Sequence, residues 1–282
     1  MNPFQALVLG VVQGLTEFVP VSSSGHLTLV PFVLGWDEPS VAFDVALHVG
    51  TVIAVVWALR DRVEVLWRTV TGWRAASEDD RQIVRFLAIA TVPAVVVGAI
   101  LNGPVSSVFE RPVVVSLLLG VTGYILMNVE SRLEERAAAL VEPGAPPPPP
   151  VRDDERTVDR ADAIAIGIAQ AVAILPGISR SGSTIAVGMW RGLSRPAAAR
   201  FSFLLSIPII VGAAIFEIPD LVSEGLEGGL LSMLVGVAAS AVTGVYVVRW
   251  LLDVLARKTL RAFGTYCFFA MVAGLLTALA RG

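Results

Sequence analysis

Six stretches of this chain, at residues 44–59, 85–101, 112–130, 201–216, 229–250 and 262–280, are almost wholly apolar. Each is about long enough to cross a ~30 Å hydrocarbon layer as a helix. No feature constrains the fold more, because backbone polar groups in lipid must be satisfied inside the segment or in a closed barrel. The alternating segments of a barrel strand are absent. The chain therefore reads as an all-α polytopic membrane protein. Composition agrees: 55% of residues are hydrophobic, 16% are charged, and the mean hydropathy is +0.74, beyond the range of a soluble domain. One cysteine, Cys267, leaves no intramolecular disulfide to form and reads as a packing residue. The N-terminus lacks a positive leader region and carries Gln13 and Glu17 within its apolar run, so no removable signal peptide is expected.

The arginines give the topology. Arg60, Arg62, Arg68, Arg74, Arg81 and Arg85 form one cluster, Arg132, Arg136, Arg152, Arg156 and Arg160 a second, and Arg249, Arg257, Lys258 and Arg261 a third. The positive-inside rule puts all three on the cytoplasmic side. Residues 1–59 hold no Lys or Arg, segment 217–229 holds only acidic charges, and Arg111 is the one basic residue of segment 102–111, so these read as outside. Parity then requires 1–40 to begin and end outside, and 162–195 to begin and end inside. Each must dip into the bilayer and return, and each is broken by Pro and Gly: Pro20 and Gly25, then Pro176, Gly177 and Gly182. The expected architecture is six transmembrane helices plus two re-entrant helical hairpins in an inverted repeat. The first repeat is 1–130, a cytoplasmic Pro-rich linker is 131–161, and the second repeat is 162–282. Five prolines at 146–150 give the linker an extended, polyproline-type character. Residues 62–74, with Trp67 and Trp73 among arginines, read as an interfacial helix.

The two broken segments carry related polar motifs 157 residues apart, Ser22-Ser23-Ser24-Gly25-His26 and Ser179-Arg180-Ser181-Gly182-Ser183-Thr184. At that offset Ala6 also matches Ala163, Gly10 matches Gly167 and Gln13 matches Gln170. Glu17 is the sharpest anomaly, since a carboxylate in lipid costs several kcal/mol (~3 or more at midplane). Gln13 lies one helical turn before it on the same face. The serine run into His26 supplies hydroxyls, a glycine and a helix N-terminus, whose free N–H groups suit an anion. Arg180 adds a planar donor fork matched to phosphate oxygens, against the alternative of a side chain snorkelling to the interface. Asp44 and His48, four apart, read either as a hydrogen-bonded pair or as support for the site. Arg191, Arg195 and Arg200 read as an inner-surface basic cluster.

These residues carry a resemblance. Gln13-Gly14-Leu15-Thr16-Glu17-Phe18-Val19-Pro20-Val21-Ser22-Ser23-Ser24-Gly25-His26 is similar to the first signature of the bacterial undecaprenyl pyrophosphate phosphatases, the bacitracin resistance family. Pro176-Gly177-Ile178-Ser179-Arg180-Ser181-Gly182-Ser183-Thr184 resembles the second. The likeness extends over the whole chain, the five-proline linker being its least similar part. It implies hydrolysis of undecaprenyl pyrophosphate to the monophosphate plus inorganic phosphate, which recycles the lipid carrier of peptidoglycan synthesis. It further implies a bacterial inner-membrane location, a site facing the periplasm and a divalent cation, Mg²⁺ or Ca²⁺. Gln13, Glu17, Ser23, His26, Ser179, Arg180 and Thr184 carry over directly.

The expected catalytic set is then Glu17, His26, Ser23 and Arg180, with Gln13, Ser22, Ser24, Gly25, Ser179, Ser181 and Thr184 binding substrate and Glu17 a metal ligand. His26 is taken as nucleophile or as base for Ser23 or water, with Glu17 orienting it or holding metal; the residues leave these options open. Partners are the long-chain prenyl diphosphate and membrane lipids, with no nucleic acid; a second copy of the chain remains an open partner. A lipid transporter or flippase is the competing class, because inverted repeats with broken helices are transporter architecture. The acid-phosphatase-like lipid phosphatases are rejected: they need an upstream lysine and a late histidine, whereas Lys258 is the only lysine and no histidine follows His48.

Overall fold

The computed structural model of the chain describes residues 1–109, 111–139, 150–224 and 229–281, and within them the fold is helical with no strand. All six expected spans form: α3 (Val41–Ala58), α5 (Glu78–Phe109), α6 (Pro112–Ala139), α9 (Arg195–Glu224), α10 (Gly229–Arg257) and α11 (Arg261–Arg281). Among the described residues these are the helices long and apolar enough to cross a membrane. Several run past their apolar stretches, which hydropathy cannot register. α5 starts at Glu78, Asp79 and Asp80, acidic residues that complement a helix N-terminus.

Besides α4 (Arg60–Thr71), four of the described α-helices are too short to span. α1 (Pro3–Thr16) and α2 (Ser23–Leu34) precede α3, and α7 (Arg160–Val172) and α8 (Arg180–Trp190) precede α9. At 11 to 14 residues they reach only about 16–21 Å. Each pair is split where the sequence is punctuated, α1 from α2 by residues 17–22 and α7 from α8 by residues 173–179. The halves also begin alike. Asn2 caps α1 in a capping box with Gln5, and Asp159 caps α7 in a capping box with Asp162. These pairs lie at the same offset as the polar motifs, so the repeat extends further upstream than the motifs alone indicate. α4 (Arg60–Thr71) is the amphipathic helix expected near 62–74, with Trp67 and Val70 exposed and Leu66 and Val63 against the core.

The halves are interlocked. α1 packs on α10 and α7 packs on α5, so each short pair leans on a long helix of the other half; α3 meets α9, and α6 meets α11. Two glycines set the close approaches. A Cβ on Gly10 would lie 2.4 Å from the Gly236 carbonyl oxygen, and one on Gly167 would lie 2.8 Å from that of Ala90. Real atoms do not tolerate such distances.

One end of the bundle is tied by three carboxylates that are at most 1% exposed. Asp162 accepts from Arg152 and Arg191, each at 2.7 Å. Glu155 pairs with Arg62 at 3.0 Å and Arg200 at 2.7 Å. Glu130 is bound by Arg195 and by the Leu260 N–H. Thus Arg191, Arg195 and Arg200 are not a free basic surface; each neutralises a buried acid. The expected linker is also more structured than an extended connection at its ends. Residues 131–139 continue α6, and 151–158 dock through Arg152 N–H to the Gly192 carbonyl (3.0 Å) and a short 3-10 turn at Glu155–Thr157. Prolines 146–149 lie outside the described residues.

Candidate active site

The two split segments meet. Ser22 stands at the N-cap of α2, its Oγ accepting from the Gly25 N–H at 3.2 Å; Ser179 caps α8 through the Gly182 N–H at 3.0 Å. Ser22 lies 3.2 Å from Ser24, and Ser179 lies 3.2 Å from Ser181. Each serine run is therefore first a helix cap, the device its residue types favour. The segments touch where Ser181 Oγ donates to the Val19 carbonyl at 3.3 Å. A Cβ on Gly25 would sit 3.2 Å from the Gly177 Cα, so side chains there would separate the motifs. Thr122 of α6 pins the second turn, donating to the Gly177 carbonyl and accepting from the Ser179 N–H, both at 2.9 Å.

Glu17 occupies the centre at 6% exposure. Its Oε1 is bound by Arg180. Its Oε2 accepts from Ser23 Oγ at 2.6 Å and Gln13 Nε2 at 3.0 Å, and lies 3.4 Å from His48 Nε2. Side chains from α1, α2, α3 and α8 thus converge on one carboxylate. Burial of a charge is tolerable only with this degree of pairing and hydrogen bonding. Arg180 also donates to the Ser202 carbonyl at 3.1 Å, and Thr184 Oγ1 meets Ser202 Oγ at 2.7 Å, so α9 braces the guanidinium.

Of the two roles expected for His48, the structure favours support of the site, and His26 lies beside it with other partners. His48 Nδ1 bonds the Asp44 backbone carbonyl at 2.7 Å rather than the carboxylate, and its other nitrogen reaches Glu17. His26 has both ring nitrogens engaged elsewhere: Nδ1 with the Ser22 carbonyl and Nε2 with the Tyr266 hydroxyl, each at 2.7 Å. Glu17 therefore orients Ser23, while Ser22 and Tyr266 orient His26. Tyr266, Ser202 and Thr122 carry no motif signal, being isolated polar residues on long apolar helices; only the contact reveals them.

A divalent cation would find hard oxygen donors here. Gln13 Oε1 is buried without a hydrogen-bond partner, and its own Nε2 is on Glu17. Among the described residues, however, no three His, Cys, Asp or Glu side chains gather. The donor set fits an ion shared with ligand oxygens better than a fully protein-caged one.

Six spanning helices around a buried carboxylate, a guanidinium and paired hydroxyl-rich helix N-termini define a multi-pass membrane protein with a site suited to an oxyanion. The family model of the bacitracin resistance protein BacA matches residues 6–273. The chain belongs to that family. The protein named undecaprenyl-diphosphatase from Gemmatimonas aurantiaca is 42% identical over 270 residues, covering 94% of each chain. Another of that name, from Desulforudis audaxviator, is 40% identical over 287 residues and covers both chains fully. A third, from Pelotomaculum thermopropionicum, is 39% identical over 98% of this chain and 95% of the relative.

Proposed function

We propose that the chain is an undecaprenyl-diphosphate phosphatase whose chemistry is started by Ser23, with Glu17 as proton acceptor. The observation that carries this assignment is the 2.6 Å hydrogen bond from Ser23 Oγ to Glu17 Oε2. The terminal phosphate enters between the motifs and competes with Glu17 for Arg180, whose fork suits phosphate oxygens. A buried carboxylate losing its guanidinium partner is stabilised by a proton, and the Ser23 hydroxyl holds the nearest one. Ser23 Oγ attacks phosphorus, its proton passes to Glu17, and the bond from phosphorus to the bridging oxygen breaks. Undecaprenyl phosphate leaves, and phosphate remains on Ser23. Water then attacks that phosphoserine, with His26, one turn along α2, taking the water's proton at Nε2; the bond from phosphorus to Ser23 Oγ breaks, Glu17 returns its proton to that oxygen, and inorganic phosphate leaves. Free N–H groups of α2 and α8 and the hydroxyls of Ser22, Ser24, Ser179, Ser181 and Thr184 surround the anion. Mg²⁺ or Ca²⁺, held by Glu17 and Gln13 Oε1, would neutralise diphosphate charge.

Direct attack by His26 is the second reading, and the trapped intermediate separates the two. Quenching the purified enzyme during turnover of a prenyl diphosphate is expected to yield acid-stable phosphate on the peptide holding Ser23. Acid-labile phosphate on His26, or full turnover by Ser23→Ala, overturns the serine assignment. The fold further supports an inverted repeat with re-entrant short pairs. α1/α10 and α7/α5 exchange under one half-to-half correspondence, and the capping boxes recur at the same offset. With the arginine-rich side inside, this supports our reading of a protein of the bacterial cytoplasmic membrane with its site reached from the periplasm. A flippase is the competing reading; it would move the lipid unchanged, whereas a phosphatase releases phosphate in detergent with no second compartment.

A further inference from the structure

We propose that Tyr266 is a positioning residue that, with the strained backbone of Ser22, holds His26 in its working tautomer. A carbonyl only accepts, so the Ser22 oxygen 2.7 Å from Nδ1 requires the proton to sit on Nδ1. A neutral imidazole then keeps a single lone pair, on Nε2, and the Tyr266 hydroxyl donates to it at 2.7 Å. The two rings lie nearly parallel, centroids 5.6 Å apart and planes 8° from each other, as suits an in-plane bond to the Nε2 lone pair. Both nitrogens are thereby engaged, which fixes the orientation of the imidazole.

The backbone points the same way. Ser22 has φ 68°, the only positive φ outside glycine among the described residues. Its carbonyl accepts from both the His26 N–H and the ring. Ser179, the matching cap in the other half, has an ordinary φ of −71°, and Ser183 rather than a histidine follows four residues later. The strain is confined to the copy that has a histidine to orient, as expected for strain kept for function. Ser22 selects which nitrogen is free, and Tyr266 keeps that nitrogen aimed until water replaces the hydroxyl.

This inference rests on the reading of His26 as the base in the second step, and the experiment separates the two. Tyr266 is 47% exposed, so Tyr266→Phe removes the hydroxyl, keeps the ring and leaves the fold standing. Turnover of a prenyl diphosphate in detergent is measured for Tyr266→Phe, His26→Gln and the double variant. Carbethoxylation of His26 by diethyl pyrocarbonate is followed by mass spectrometry. Tyr266→Phe is expected to lower kcat about tenfold, the loss of one hydrogen bond, with KM within about twofold. His26 should be modified faster once its lone pair is uncovered. The double variant should be no slower than His26→Gln, because both changes act through one group. Wild-type kcat and modification rate in Tyr266→Phe, alongside a crippled His26→Gln, overturn the role of Tyr266 and leave His26 intact. Wild-type turnover by His26→Gln overturns the reading of His26 and this inference with it.

Discussion

Glu17 is held by Gln13, Ser23, His48 and Arg180, and the chemistry at this carboxylate is set by how these contacts are shared. Arg180 spans Glu17 and the Ser202 carbonyl with two different nitrogens. A lysine offers one point charge and cannot reproduce that fork. Arg180→Lys should fold, yet lose about 10²–10³-fold in kcat/KM, the range for removing one preorganised donor to a charged centre; steady-state kinetics on a prenyl diphosphate checks this. His48→Gln should cost less, about tenfold or below, because an amide can still donate to the Glu17 oxygen; a loss as large as that of Ser23→Ala would place His48 among the reacting groups. Much at this scale is legible from sequence, because a carboxylate, an arginine and serine runs stand out in an apolar chain. Tyr266 does not: it lies 240 residues from His26, and a tyrosine in an apolar helix is unremarkable until the fold brings the pair together.

Among the elements, helix contacts at glycine decide how closely the motifs approach. Gly10→Ala and Gly167→Ala should each destabilise the protein by about 1–3 kcal/mol through overpacking against a facing backbone, read as a lowered midpoint of thermal unfolding in detergent. Gly212 of α9 is the control: an added Cβ meets nothing within 4 Å, so Gly212→Ala should be neutral or stabilise by up to about 1 kcal/mol through helix propensity. The six spans and the two breaks were readable from hydropathy, Pro and Gly. Their partners were not, since which face of an apolar helix meets which neighbour depends on shape. Gly10 and Gly167 mark the exception, because their repetition at the motif offset hints at matched packing.

For the molecule as a whole, the charged end of the bundle fixes the register of the halves. At Asp162, burial pushes the carboxyl up, but hydrogen bonds from Arg152, the Asp159 N–H and Arg191 outweigh it and hold the group below its ordinary 3.8. A depressed acid stabilises the fold above its unfolded value and loses that contribution as pH falls through the folded one. Acidification below about 3.8 should therefore lower the unfolding midpoint. Asp162→Asn should lose about 3–5 kcal/mol already at neutral pH, leaving arginines unpaired beside a buried amide, and show a flatter acid dependence. The arginine cluster is visible in the sequence, but its buried partners Asp162, Glu155 and Glu130 are not, because acids in polar segments ordinarily face water.

The carboxylate and its guanidinium are 163 residues apart in the chain, one in each half. During synthesis the first half therefore holds Glu17 with Gln13, Ser23 and His48 but without its guanidinium partner until the ribosome delivers Arg180. A ribosome-released first half should be a substrate for membrane proteases. Co-expression of two fragments divided within 140–149 should rescue its level and restore phosphatase activity together. The ion pair that serves the site would thus also act as the cell's check that translation has finished.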